Sequence, residues 1–194
     1  MTTMTPTMTR PLPDHRRQAG QAFGAMIFSF FGTAWLGGAC LLAWPAASTV
    51  RALALTVVAL AGAALFLVAL RRRRRLLALP SAAPDPQQER RRARRFHLIN
   101  AGQWIAALVT INVLNNVGLG TWDLPALIGI VGIHFLLLAP VFHQPRHYIV
   151  GTILILAALA CPLLGSGPLL AAAPAATGLT LWIAGVWPHS HDCA

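Results

Sequence analysis

Few side chains in this chain can do chemistry, and those that can are concentrated in one region. His134 stands about ten residues into the apolar run Leu124–Phe142. It is the one imidazole deep in such a run, able to carry a proton near neutral pH or to hydrogen-bond a solute. The preceding run, Phe96–Leu119, is the most polar of the apolar stretches, with Asn100, Gln103, Thr110, Asn112, Asn115 and Asn116. Asn112, Asn115 and Asn116 stand at i, i+3 and i+4, so a helix would carry them on one face. Paired as antiparallel helices, the two runs place Thr110 and Asn112 level with His134, and Gly129 and Gly132 allow a close approach. The expectation is a buried polar seam in which His134, Asn112, Thr110 and Asn115 form a substrate or proton site. The simpler reading is interhelical hydrogen bonding, which averages about 0.6 kcal/mol per pair and requires no function.

Other chemistries are poorly supplied. Every carboxylate (Asp14, Asp85, Glu89, Asp123, Asp192) falls in a tail, a loop or a helix cap. That argues against carboxylate-driven proton pumping and against enzymes that hold a metal on acidic ligands within the membrane. There is no phosphate-binding glycine loop and no nucleophile elbow. No catalytic residue is assigned, no cofactor is expected, and the enzyme reading is thin. His189, His191 and Cys193 near the C-terminus have the donor types for zinc or copper. Their alternating spacing in a terminal segment is poor preorganisation, so they are weak candidates and no metal is expected. Haem would need paired histidines deep in facing spans; His97, His143 and His147 read as boundary residues. Cys40 and Cys161 read as small packing residues, and three scattered cysteines imply no disulfide framework.

The elements that must position these groups follow from composition. The chain has 194 residues, is 56% hydrophobic and only 10% charged, against about 25% charged for soluble chains. Six apolar runs are long enough to cross a bilayer at 1.5 Å per residue: about 22–44, 52–70, 96–119, 124–142, 148–164 and 169–187. The fold class read from them is all-α, a polytopic membrane protein with six transmembrane helices in one domain over 22–187. Residues 1–21 read as a disordered tail and 188–194 as a second, short tail. Gly20-x-x-x-Gly24 at the start of the first run has the small-residue spacing that lets helices approach.

Ten of the fifteen arginines lie between the second and third runs: Arg71, Arg72, Arg73, Arg74, Arg75, Arg90, Arg91, Arg92, Arg94 and Arg95. An arginine at the bilayer centre costs at least about 2.5–3.5 kcal/mol, so this segment reads as a loop, 71–95, and the positive-inside rule makes it cytoplasmic. Arg10, Arg16 and Arg17 in the first tail and Arg146 in the second inner loop agree with it, and Arg51 alone falls outside. Both termini are therefore expected in the cytoplasm. Asp85-Pro86 offers an N-cap and a first helical proline, so the third helix is expected to begin near Pro86, ahead of the membrane. The ten arginines are expected to contact anionic lipid head groups. Nucleic acid is not an expected partner despite the net charge of +10, because the arginines sit at span boundaries without interleaved aromatic platforms.

From Gly129-Ile-Val-Gly-Ile-His-Phe through Ala139-Pro-Val-Phe-His to His147-Tyr-Ile-Val-Gly151, the sequence resembles an uncharacterised family of small bacterial multispan integral membrane proteins over about residues 96–164. The resemblance implies a multi-pass protein of the bacterial inner membrane and no activity. Two functions follow as expectations. The first is a non-catalytic membrane component that binds partners, either as a homodimer or with other membrane proteins. The second is a small-solute or proton-coupled transporter using His134 and Asn112.

Overall fold

A computed structural model describes residues 15–46, 48–81, 85–165 and 168–187. The described chain is helical, with six helices long and apolar enough to cross a membrane. They are α1 (His15–Ala43), α2 (Thr49–Leu77), α3 (Pro86–Asn116), α4 (Asp123–Phe142), α5 (Arg146–Ala160) and α6 (Ala172–Val186). Short 3₁₀ turns over Gly120–Trp122, Cys161–Leu164 and Pro168–Ala171 lead into α4, extend α5 and lead into α6.

The helix starts have local causes. Ser48 accepts from the Arg51 amide ahead of α2. At α3, Asp85 Oδ1 accepts from the Gln87 amide at 2.9 Å with Pro86 in the first turn, which is where the Asp-Pro pair predicts a start. The first half of the arginine segment corrects the reading of 71–95 as a loop, while the second half falls in the helix expected to begin near Pro86. Arg71–Arg75 belong to the last two turns of α2, and Arg90–Arg95 to the first turns of α3. Arginine is a good helix former, and cations at a helix C-terminus interact favourably with its dipole. At 29 and 31 residues, α2 and α3 run to about 43–47 Å, against roughly 30 Å of hydrocarbon. Both therefore project as basic stalks at one end of the bundle, here called the basic end. The first tail is also shorter than expected, because α1 already begins at His15.

Each helix packs against the next in the spatial order α2, α1, α6, α5, α4, α3. The middle four close around one core containing Phe28, Ile128, Phe135, Val150, Leu154, Cys161 and Leu181. Phe28 of α1 meets Phe135 of α4 at 5.4 Å between ring centroids, so the row curls until α1 and α4 touch. The flanking α2 buries only Gly62 and Ala69, and α3 buries nothing.

Two glycine crossings hold the middle four together. A Cβ on Gly178 of α6 would lie 2.7 Å from the Gly32 carbonyl of α1, and one on Gly32 would lie 2.9 Å from the Gly178 carbonyl. The α4–α5 crossing repeats the device: a Cβ on Gly151 would stand 2.8 Å from the Gly132 carbonyl, and the reverse distance is 3.0 Å. Backbones meet directly there, a packing mode membrane helices use because lipid supplies no hydrophobic drive between them. The Gly20/Gly24 pair plays no such part, since neither has anything within 4 Å of an added Cβ. Gly129 and Gly132 face α5 through Ala158 and Ile155, and so do not draw α3 in.

Candidate functional site: two buried histidines at the basic end

The expected seam between α3 and α4 does not assemble. Asn112 lies on the exposed face of α3, and its amide donates to the Leu108 carbonyl one turn back at 2.8 Å. Asn115 donates to Asp123 Oδ2 at 2.9 Å and to the Ile111 carbonyl, tying the two helices at the end opposite the arginines. Thr110 is half-buried and lines an apolar groove of about 460 Å³ with Trp122, Gly129 and Ile155. His134 is elsewhere. Its contact on α3 is with the backbone of Ile99, 13 residues from Asn112 in sequence, or about 20 Å along a helix. The register expected from chain lengths fails: His134 stands at the level of Ile99, and Asn112 lies toward the end where Asn115 meets Asp123.

His134 meets a different partner set, one that includes His147. Both side chains are buried, at 9% and 6% exposure, and His147 corrects the reading of it as a boundary residue. Rings connect them: His134 stands edge-on to Phe135 at 5.7 Å, and Phe135 lies 6.0 Å from His147. His147 is stacked on Phe142 at 5.8 Å and meets Phe28 at 6.0 Å. Two guanidinium groups close this box on the side of the basic end. Arg92 of α3 lies 4.8 Å over the Phe142 ring, and Arg146 lies 5.8 Å over Phe28. Arg146 also donates to Gln144 Oε1 at 2.7 Å and to the Ala184 carbonyl at 3.4 Å. It thus caps the end of α6 from the start of α5, where a cation favours the helix dipole.

Neither His134 Nδ1 nor His147 Nδ1 has a hydrogen-bond partner among the described residues, and both atoms are buried. A buried unsatisfied nitrogen costs about 1–3 kcal/mol, so the pair is either tolerated for packing or completed by something small and polar. His15 Nδ1 and Asp123 Oδ1 are the other buried side-chain atoms without a partner among the described residues, whereas the buried hydroxyls are satisfied within the bundle. Ser29 bonds the Ala25 carbonyl and Thr177 the Ala173 carbonyl, while the Ser29 carbonyl accepts from Trp182 Nε1.

The signal that could have found His147 is periodicity. The buried residues of α5 are His147, Val150, Gly151 and Leu154, spaced 3, 4 and 7 as one helical stripe. His147 heads that stripe. Among the described residues no three His, Cys, Asp or Glu side chains come together as a metal site. Of the weak metal candidates, His189, His191 and Cys193 lie outside the described residues. Cys40 and Cys161 are free and buried.

Compared with protein-family models, curated proteins and solved structures, the chain matches none. The reading of the site therefore rests on its own geometry.

Proposed function

We propose that this is a multi-pass protein of the bacterial inner membrane, basic end toward the cytoplasm, that works by lateral association with other membrane helices and not by catalysis. The observation that carries the reading is α3. This helix buries no residue and turns Trp104, Leu108 and Asn112 outward, Trp104 and Leu108 at 59% and 67% exposure. Among the described residues the Asn112 amide makes one hydrogen bond, to its own helix. A primary amide has two N–H groups and a carbonyl to satisfy, and in hydrocarbon only another helix can satisfy the remainder.

An amide complements itself, so the first occupant is a second copy of the chain, its α3 crossing at Asn112. Other membrane proteins are the alternative partners. The ten arginines of α2 and α3 would meanwhile pair with anionic head groups at about 1 kcal/mol each near the surface. Subunit counting by photobleaching in liposomes, over a dilution series, tests the association. Wild type is expected to dimerise, and Asn112→Leu to weaken the dimer roughly 3- to 20-fold, the equivalent of 0.6–1.7 kcal/mol. A wild-type monomer at every dilution would end the self-association reading.

The second reading, a small-solute or proton-coupled transporter, is favoured by one observation, the two buried histidines with unmet Nδ1 atoms. Its site would be His134 with His147, since Asn112 faces away. Thermal unfolding in mild detergent at about pH 6 and pH 8, against a solute panel, separates the readings. A ligand at a hundred times its dissociation constant adds about 2.7 kcal/mol. A shift seen in wild type and lost in His134→Gln would favour transport; a uniform loss of stability would favour packing.

A further inference from the structure

The basic end holds a cavity that the two-histidine site does not use. It has a volume of about 630 Å³, within the roughly 300–1,000 Å³ of small-molecule sites. Its polar wall is Arg16 from the start of α1, Arg73 from the end of α2, Ser81 beyond α2, and Glu89 in the first turn of α3. Phe23 and Leu76 stand in its apolar wall. The cavity is held in shape from two sides. The Arg73 guanidinium lies 5.4 Å over the Phe23 ring, and the Arg16 amide donates to Ser81 Oγ at 3.4 Å.

Its charges are arranged unusually. Arg16, Arg73 and Glu89 line the same space, yet among the described residues Glu89 forms no ion pair with Arg16 or Arg73. A purely anionic ligand would be drawn to the arginines and repelled by Glu89. A ligand carrying a phosphate and an ammonium a few bonds apart satisfies both, the phosphate on Arg16, Arg73 and Ser81 and the ammonium on Glu89. The apolar wall accommodates the start of a hydrocarbon tail. We infer that the cavity between the basic ends of α1, α2 and α3 binds a phosphoethanolamine-type group, and the apolar wall identifies its source as the head group of an aminophospholipid.

The test is native mass spectrometry and thermal unfolding of the full chain in detergent, with dioctanoyl phosphatidylethanolamine and dioctanoyl phosphatidylglycerol. Soluble O-phosphoethanolamine and inorganic phosphate are run alongside. The aminophospholipid is expected to bind wild type and raise its midpoint above the shift given by the glycerol lipid. Arg73→Gln should weaken both lipids by about tenfold or more, as loss of a charged hydrogen bond does. Glu89→Gln should remove the preference between the lipids without abolishing binding. Arg51→Gln, at the opposite end of α2, should change neither. Equal binding of the two lipids to wild type, or a preference untouched by Glu89→Gln, overturns the inference. So does a full shift from inorganic phosphate alone, which would make this a free-phosphate site. If O-phosphoethanolamine reproduces the whole shift, the group is right and the lipid source is wrong. Glu89→Gln lies on an exposed turn and Arg51→Gln at the far end of α2, so the comparison survives even where Arg73→Gln fails to fold.

Discussion

Gly178 and Gly24 are both helical glycines, yet they should answer alanine in opposite ways. A methyl group at Gly178 would stand 2.7 Å from a backbone carbonyl on α1, whereas one at Gly24 would meet nothing within 4 Å. Gly178→Ala is expected to cost about 1–3 kcal/mol by overpacking, and Gly24→Ala to be neutral or to gain up to about 1 kcal/mol from helix propensity. Thermal unfolding in detergent would show the difference as midpoints moving apart. At the centre of the core, Phe135 touches Phe28, His134 and His147, so Phe135→Ala should cost about 3–5 kcal/mol. His147→Phe is the more informative change. It keeps a ring against Phe142 while deleting both the unmet Nδ1 and the ring's hydrogen bond to the Gln144 backbone, so the two changes should offset and stability should move by less than about 1–3 kcal/mol; a larger fall would mean that the ring makes a further bond. Residue types were legible at this scale where neighbours did not matter: Cys40 and Cys161 read as packing residues and are buried. Which glycines form crossings was not, since Gly20-x-x-x-Gly24 has the motif and no partner, and Gly178 has a partner and no motif.

At the scale of elements, the helices divide by how much they bury, and hydropathy does not announce that division. The most apolar window belongs to α2, a flanking helix with two buried residues. Lipid rewards apolar surface as fully as a protein interior does, so hydropathy reports the membrane and not the core. The polarity of α3 was equally open to two readings. Asn side chains can hydrogen-bond a neighbouring helix, and whether α4 can be that helix depends on register. Asn115 is hydrogen-bonded to α4, through Asp123 at 2.9 Å. Asp123→Ala is expected to loosen the α3–α4 pairing by about 1 kcal/mol, read as faster hydrogen exchange at the start of α4. The Asp85 cap should matter similarly at the other end of α3: Asp85→Ala is expected to cost about 1 kcal/mol of helix stability in the basic stalk.

For the whole molecule, the arginines sort the two ends. Arg73, Arg92 and Arg146, on three different helices, lie over Phe23, Phe142 and Phe28, gathering basic residues of α2, α3 and α5 at one end. Single cysteines at positions 87 and 120 of a cysteine-free variant would test the proposed orientation. In intact cells, a membrane-impermeant maleimide is expected to label position 120 and to reach position 87 only after permeabilisation. The reverse pattern would invert the topology. By itself the sequence determined that the chain is helical, that six of its segments are long and apolar enough to cross a membrane, and where α3 begins. Those properties depend on local composition, capping and charge, which act within a few residues of chain. Only the tertiary structure decided which helices form the core, which glycines touch, and that His134 is joined by His147 and not by Asn112. Those outcomes depend on register and on the order of helices around the bundle, set by contacts between residues far apart in the chain.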